Sequence, residues 1–149
     1  MNGQDNRERL GAIAAGWIEE IWQQGRVDLL EKYHSPDFVD RSSAGRPADL
    51  AGFRRGIESL LAAFPDFRGV IDHLAVDAPE NLVTLIWSAT GTHSALYMGY
   101  APTGRTVHFR GIDVIRVQAG RIVERWGEWD GLDLVAQLAG GGEAGRQDR

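Results

Sequence analysis

The chain has 149 residues, with 16 Lys and Arg against 21 Asp and Glu for a net charge of −5, 43% hydrophobic residues and no cysteine. Such a composition describes one soluble globular domain, able to bury roughly 68–70% of the surface its unfolded chain would expose, and it excludes thiol nucleophiles, thiolate-zinc centres and disulfide scaffolds. An acidic chain without a basic run argues against a nucleic-acid partner, and no apolar run approaches the ~18 residues of a membrane span.

The N-terminus lacks a basic segment ahead of a continuous apolar stretch, so no signal peptide is read and a cytoplasmic protein is expected. In residues 6–24, Leu10, Ile13, Ala14, Trp17, Ile18, Ile21 and Trp22 fall at three- and four-residue spacing, which predicts a helix with one broad apolar stripe, ended by Gly25. Residues 27–33 predict a short second helix, stopped by Ser35-Pro36 because the residue before a proline is driven out of the helical region. A short extended piece, 38–40, leads into a polar loop at 41–47. A third helix follows, capped by Asp49, with Phe53, Ile57, Leu60, Leu61 and Phe64 in helical period until Pro65.

Beyond that point the period becomes two. Strands are predicted at 69–75, 82–90, 93–100, 106–118 and 121–129, and a last helical turn or two at 132–138. Residues 1–139 form one domain in this reading, and Gly140 opens a polar tail, 140–149, expected to be disordered. Helices followed by consecutive antiparallel strands indicate an α+β fold in which N-terminal helices cover one face of a curved antiparallel sheet and close a cone with an interior.

The usual chemical signatures are missing. There is no G-x-S-x-G elbow and no dinucleotide fingerprint, and the four histidines are scattered without an H-x-x-x-H pair, so neither a metal nor a cofactor is expected. What stands out is an acid inside an apolar strand: Asp113, in Gly111-Ile112-Asp113-Val114-Ile115. If the turn at 118–120 carries a glycine bulge, Asp113 falls opposite Arg125, with Ile115 and Val123 on the same face, as a functional pair or a structural salt bridge. Asp40 is a second candidate, or else an Asp that bonds its own turn. Glu128 faces away from Asp113 by alternation, and Asp130 reads as a helix cap. Trp17, Trp22, Trp87, Trp126, Trp129, Phe53, Phe64, Tyr97 and Tyr100 suffice to wall a ligand cavity, although rings at such spacings also build cores. His93 sits at a strand edge, where it either points into the cone mouth or orients a turn.

Taken together, Tyr33-His34-Ser35-Pro36-Asp37-Phe38-Val39-Asp40, Ala63-Phe64-Pro65-Asp66, Gly91-Thr92-His93, Pro102-Thr103-Gly104, Gly111-Ile112-Asp113 and Gly120-Arg121-Ile122-Val123-Glu124-Arg125-Trp126 through Trp129-Asp130 resemble the SnoaL-like polyketide cyclases over about residues 8–139. The resemblance implies the cone-shaped α+β barrel of nuclear-transport-factor-two-like proteins and limonene epoxide hydrolases, and a homodimer joined through the open sheet. It further implies ring closure in a polyketide ester by intramolecular aldol condensation, without cofactor or metal. The family's acid/base aspartate falls at Gly127 here, its pocket histidine at Asp113, its pocket asparagine at Asp40 and its first-helix ring at Trp22.

The catalytic set expected is therefore Asp113 as base, Arg125 as its partner and Asp40 as proton donor, with Trp22, Trp87, His93 and Tyr97 binding an uncharged, largely apolar small molecule. A non-catalytic small-molecule binder or accessory dimer, and epoxide hydrolysis through an Asp-Arg-Asp cluster, are the alternatives.

Overall fold

The computed structural model describes residues 2–140. The tail expected to be disordered lies outside the described residues, Gly140 apart. The first helix, α1 (Gly3–Gly16), is capped by Asn2, whose side chain accepts from the Asp5 amide at 2.7 Å, and it continues as wider π-helical turns over Trp17–Gln23. Its apolar stripe is the one read from the sequence: Leu10, Ala14, Trp17, Ile18 and Ile21 are all buried. Gly25, at φ 67°, ends it.

A 3-10 turn (Val27–Leu29) and α2 (Leu30–Tyr33) follow, and then β1 (His34–Asp40), which starts four residues earlier than expected. Pro36 is tolerated inside β1 because β1 is an edge strand. Helix α3 (Leu50–Ala63) is capped as predicted, with the Gly52 amide donating to Asp49 Oδ1 at 2.8 Å. The remaining elements are β2 (Arg68–Asp77), β3 (Leu82–Thr92), β4 (Thr106–Gln118), β5 (Arg121–Trp129) and α4 (Gly131–Leu138). No described helix is long and apolar enough to cross a membrane.

The strand order is β1-β5-β4-β3-β2, an α+β fold with a curved sheet. Two details depart from expectation. β1 lies parallel to β5, so the sheet is mixed rather than wholly antiparallel. Residues 93–100 form no strand: a tight turn with Met98 at φ 50° and Gly99 at φ 83° brings Tyr97 and Tyr100 into a single bridge, and the segment folds over the sheet as a loop.

Two apolar clusters hold the fold. One joins α1, its π-helical end and α3 to Val83, Leu85, Ile115 and Ile122; the other joins Phe64, Phe67, Phe109, Leu134 and Leu138. Trp22 and Leu61 pack against both, and the cavity opens at that junction.

Candidate active site

A cavity of about 610 Å³ lies between α3, the π-helical turns, the 93–105 loop and the inner face of the sheet. Its walls include Ile18, Trp22, Phe53, Phe67, Trp87, Tyr97, Phe109 and Trp129. The π-helical turns bear on this directly, because an extra residue per turn re-aims the side chains they carry. Here they set both Ile18 and Trp22 on the cavity wall. Trp87 lies against Gly111, its register partner, where a β-carbon would stand 2.5 Å from Cζ2 of the ring.

Among these rings stand two charged groups, Asp113 and Arg125, 3% and 7% exposed. Arg125 Nε donates to Asp113 Oδ2 at 3.1 Å and Nη2 to Asp113 Oδ1 at 3.4 Å, a bidentate clamp, while Nη1 donates to Asp40 Oδ1 at 3.1 Å. Trp87 Nε1 donates to Asp113 Oδ1 at 3.4 Å, and the Arg125 guanidinium lies 5.1 Å from the centre of the Phe53 ring. Burial pulls the Arg125 pKa down, but the charges and hydrogen bonds of Asp113 and Asp40 outweigh it and raise the net value, so the guanidinium stays cationic.

Asp40 bonds its own turn, as one of its two sequence readings has it. Its Oδ1 accepts from the Ser42 amide at 3.0 Å in a turn of its own and also takes Arg125, while Oδ2, without a hydrogen-bond donor among the described residues, lies 3.5 Å from Arg46 Nη2. Its side chain is fully buried behind Arg125 and is not on the cavity wall.

The pairing register differs from the one expected. Asp113 is opposite Gly127, and Arg125 is opposite Ile115. The Ala119-Gly120 turn has no bulge, and the extra residue is Val123, between the Ile122 and Glu124 pairs. Arg125 therefore reaches diagonally across Gly127 to meet Asp113. A β-carbon at Gly127 would stand 2.1 Å from Arg125 Nη2 and 2.7 Å from Asp113 Oδ1, so the missing side chain is what makes room for the clamp. Gly127→Ala is expected to lower stability by about 1–3 kcal/mol, the usual range for overpacking; thermal unfolding against the wild type checks it.

Of the ring residues expected at the site, Trp22, Trp87 and Tyr97 line the cavity. His93 stands elsewhere. It is buried against Phe64 at 5.5 Å between ring centres, and its Nδ1 meets the Thr103 hydroxyl at 3.1 Å and accepts from the Thr103 amide at 3.2 Å, which fixes the loop. Trp17 and Phe64 are core. Sequence reasoning missed Arg46 and Arg55, both on the cavity wall. A signal for Arg46 was available in Gly56, a glycine inside a helix, where a β-carbon would collide with Arg46 Nη1 at 2.3 Å.

His34, 1% exposed behind this site and packed against Trp17, Phe38 and Phe53, bonds the Leu30 carbonyl through Nδ1 at 2.9 Å and buries Nε2 without a hydrogen-bond partner among the described residues. Burial drives its pKa down from 6.5 to about 4, and Arg125 adds to the effect. The folded state therefore holds the neutral ring while the unfolded chain takes up the proton. Stability from this group is complete above pH 6.5 and is lost as pH falls towards 4. Between pH 7 and 4 the loss is expected to reach about 3 kcal/mol, measured as the wild-type change minus that of His34→Leu in urea unfolding.

The SnoaL-like polyketide cyclase family model matches residues 12–138. Among solved structures, AclR of Streptomyces galilaeus, a proposed hydroxylase, shares 25% identity at a TM-score of 0.80, covering 90% of this chain and 98% of its own. A proposed polyketide cyclase of Acidithiobacillus ferrooxidans shares 27% at 0.78, with 89% and 96% covered. IdmH of Streptomyces antibioticus, also a proposed polyketide cyclase, shares 30% at 0.75, with 87% and 98% covered. No curated protein matches significantly. With nearly the whole domain matched by the family model, and the fold shared with its solved relatives, the chain belongs to the SnoaL-like polyketide cyclase family.

Proposed function

We propose that this protein is a cofactor-independent acid/base enzyme of the cyclase type, closing a ring in a hydrophobic small molecule by intramolecular aldol condensation or a closely related step. The observation that carries the reading is one buried carboxylate-guanidinium pair, Asp113 and Arg125, among the rings of the cavity wall. Asp113 removes a proton from a methylene activated by neighbouring carbonyls. Three of the five N–H groups of Arg125 go to Asp113 and Asp40, leaving one on each terminal nitrogen to hold the enolate oxygen as charge collects there. The enolate carbon attacks a carbonyl of the same molecule, one C–C bond forms, and Asp113 returns its proton to the alkoxide, so no co-reactant is consumed.

Asp40 acts in this scheme as a positioning residue, through Arg125, because it does not reach the cavity wall. The position of the family's acid/base aspartate is Gly127, and the space it leaves is filled by Arg125, so the proton passes through Asp113 on the neighbouring strand instead. Trp22, Trp87 and Tyr97 fold the substrate towards the attacking geometry, from which large effective concentrations arise.

Incubation with a panel of poly-β-keto methyl esters in chelator, without added cofactor, is expected to give cyclised product by mass spectrometry. Retention of a ligand without turnover in that assay marks the protein as a binding module. The Asp113-Arg125-Asp40 arrangement favours epoxide hydrolysis as a second reading, which predicts ¹⁸O from labelled water in a diol product. A homodimer through the open sheet is supported by the paired, half-exposed Ile86 and Ile112 on its outer face, and sedimentation velocity tests it.

A further inference from the structure

We infer that the ligand bears a carboxylate, held at the outer edge of the cavity by Arg46 and Arg55; this deepens the reading of the cavity as the substrate site and rests on it. The charged residues on the cavity wall are Arg46, Arg55, Arg125 and Asp113. Asp113 is engaged by Arg125, and the buried Asp40 lies between Arg125 at 3.1 Å and Arg46 at 3.5 Å. Even with Asp40 counted, three guanidiniums face two carboxylates, in a chain whose overall charge is −5. One cation remains uncompensated at the cavity.

The excess resides on α3. Arg55 is exposed and makes no hydrogen bond or ion pair among the described residues, whereas its neighbour Arg54 is paired with Glu31. Arg46 arrives from the preceding loop, donates Nη1 to the Gly52 carbonyl at 3.0 Å, and lies across Gly56. A glycine within a helix costs about 1 kcal/mol relative to alanine, and at Gly56 any β-carbon would meet Arg46 Nη1 at 2.3 Å. The helix therefore gives up intrinsic stability where doing so seats a guanidinium beside Arg55. Ser59, one turn beyond Arg55, extends the polar strip along the wall. The phenol of Tyr97 feels the same charge: burial pushes its pKa up and Arg46 pulls it part of the way back.

Arg55 and Ser59 are exposed α3 positions and Arg46 is half-buried in the loop before the helix, while Asp113 and Arg125 are almost wholly buried, so a ligand spanning both has an apolar body, its reacting carbonyls inside and its carboxylate outside. Such a ligand differs from the uncharged, largely apolar molecule expected from the sequence. The test uses 1-pyrenebutanoate and its methyl ester, which differ only in charge, with binding read by fluorescence anisotropy. The wild type is expected to prefer the acid by about tenfold at low salt, and the preference is expected to shrink at high salt. Arg55→Gln lowers the acid-to-ester ratio, and Arg46→Gln with Arg55→Gln brings it close to one. Equal binding of acid and ester by the wild type, or a ratio unchanged in the double variant, overturns the carboxylate assignment and leaves the cavity reading standing. Binding of neither probe overturns both.

Discussion

Replacing Arg125 by methionine is expected to lower the unfolding free energy by about 3–5 kcal/mol, the range for removing one member of a buried ion pair. Methionine keeps the length and fills much of the same space over Phe53, so the loss is electrostatic rather than steric. The side chains left behind are Asp40, fully buried, and Asp113, 5% exposed. Asp40 retains the Ser42 amide and a distant Arg46, and Asp113 retains only a long bond from Trp87. Neither replacement equals a charge-assisted bond at 3.1 Å. Urea unfolding followed by tryptophan fluorescence measures the loss. Removing all three charges together, as Asp40→Asn, Asp113→Asn and Arg125→Met, is expected to recover most of it, because the penalty arises from unpaired charge. A variant of Arg125 alone as stable as the wild type shows that the two acids have no need of it.

The face shared by Asp113 and Arg125 was legible in the sequence while their register was not, for a definite reason. Side chains alternate with period two, so a register error of two residues leaves the face unchanged. A glycine bulge at the hairpin turn would have put Asp113 opposite Arg125. Instead Ala119 and Gly120 both adopt positive φ, 49° and 77°, in a two-residue turn, and the extra residue appears further on at Val123. Nothing in the local sequence of β5 distinguishes those two places. The shift matters chemically, since it puts Gly127 opposite the acid and obliges Arg125 to reach across it.

The helices were legible because their signals are local: Asp49 caps α3, Asp130 caps α4 through the Asp133 amide, and the stripe of α1 is the stripe it buries. The parallel pairing of β1 with β5 was not, because the partner of a short edge strand is chosen by tertiary packing. The 93–100 segment was read as a strand from its alternating pattern, whereas its apolar side chains Leu96, Tyr97 and Met98 face the cavity from a loop. Arg46 and Arg55 were hidden for the opposite reason: an arginine in a polar loop or on an exposed helix face has the sequence appearance of a solvated charge. Only Gly56, out of place in a helix, records that a guanidinium lies against it.

Asp113→Asn is expected to reduce turnover by about 10²–10⁴-fold, the contribution of a positioned proton acceptor, while changing stability by no more than about 1 kcal/mol. The asparagine carbonyl still accepts from Arg125 Nε, and Arg125 keeps Asp40 at 3.1 Å, so the guanidinium is not left unpaired. What is lost is an oxygen able to take a proton from the substrate. If the pair only braces β4 against β5, the effect of the same change is confined to unfolding, and any turnover persists in the folded fraction. Measuring both quantities on one preparation separates the two cases. A variant that keeps full turnover of a cyclised substrate removes Asp113 from the chemistry, whatever its stability. One that loses turnover but binds the substrate with unchanged affinity places the carboxylate in the proton transfer itself, since an effect confined to the rate constant is an effect on the transition state.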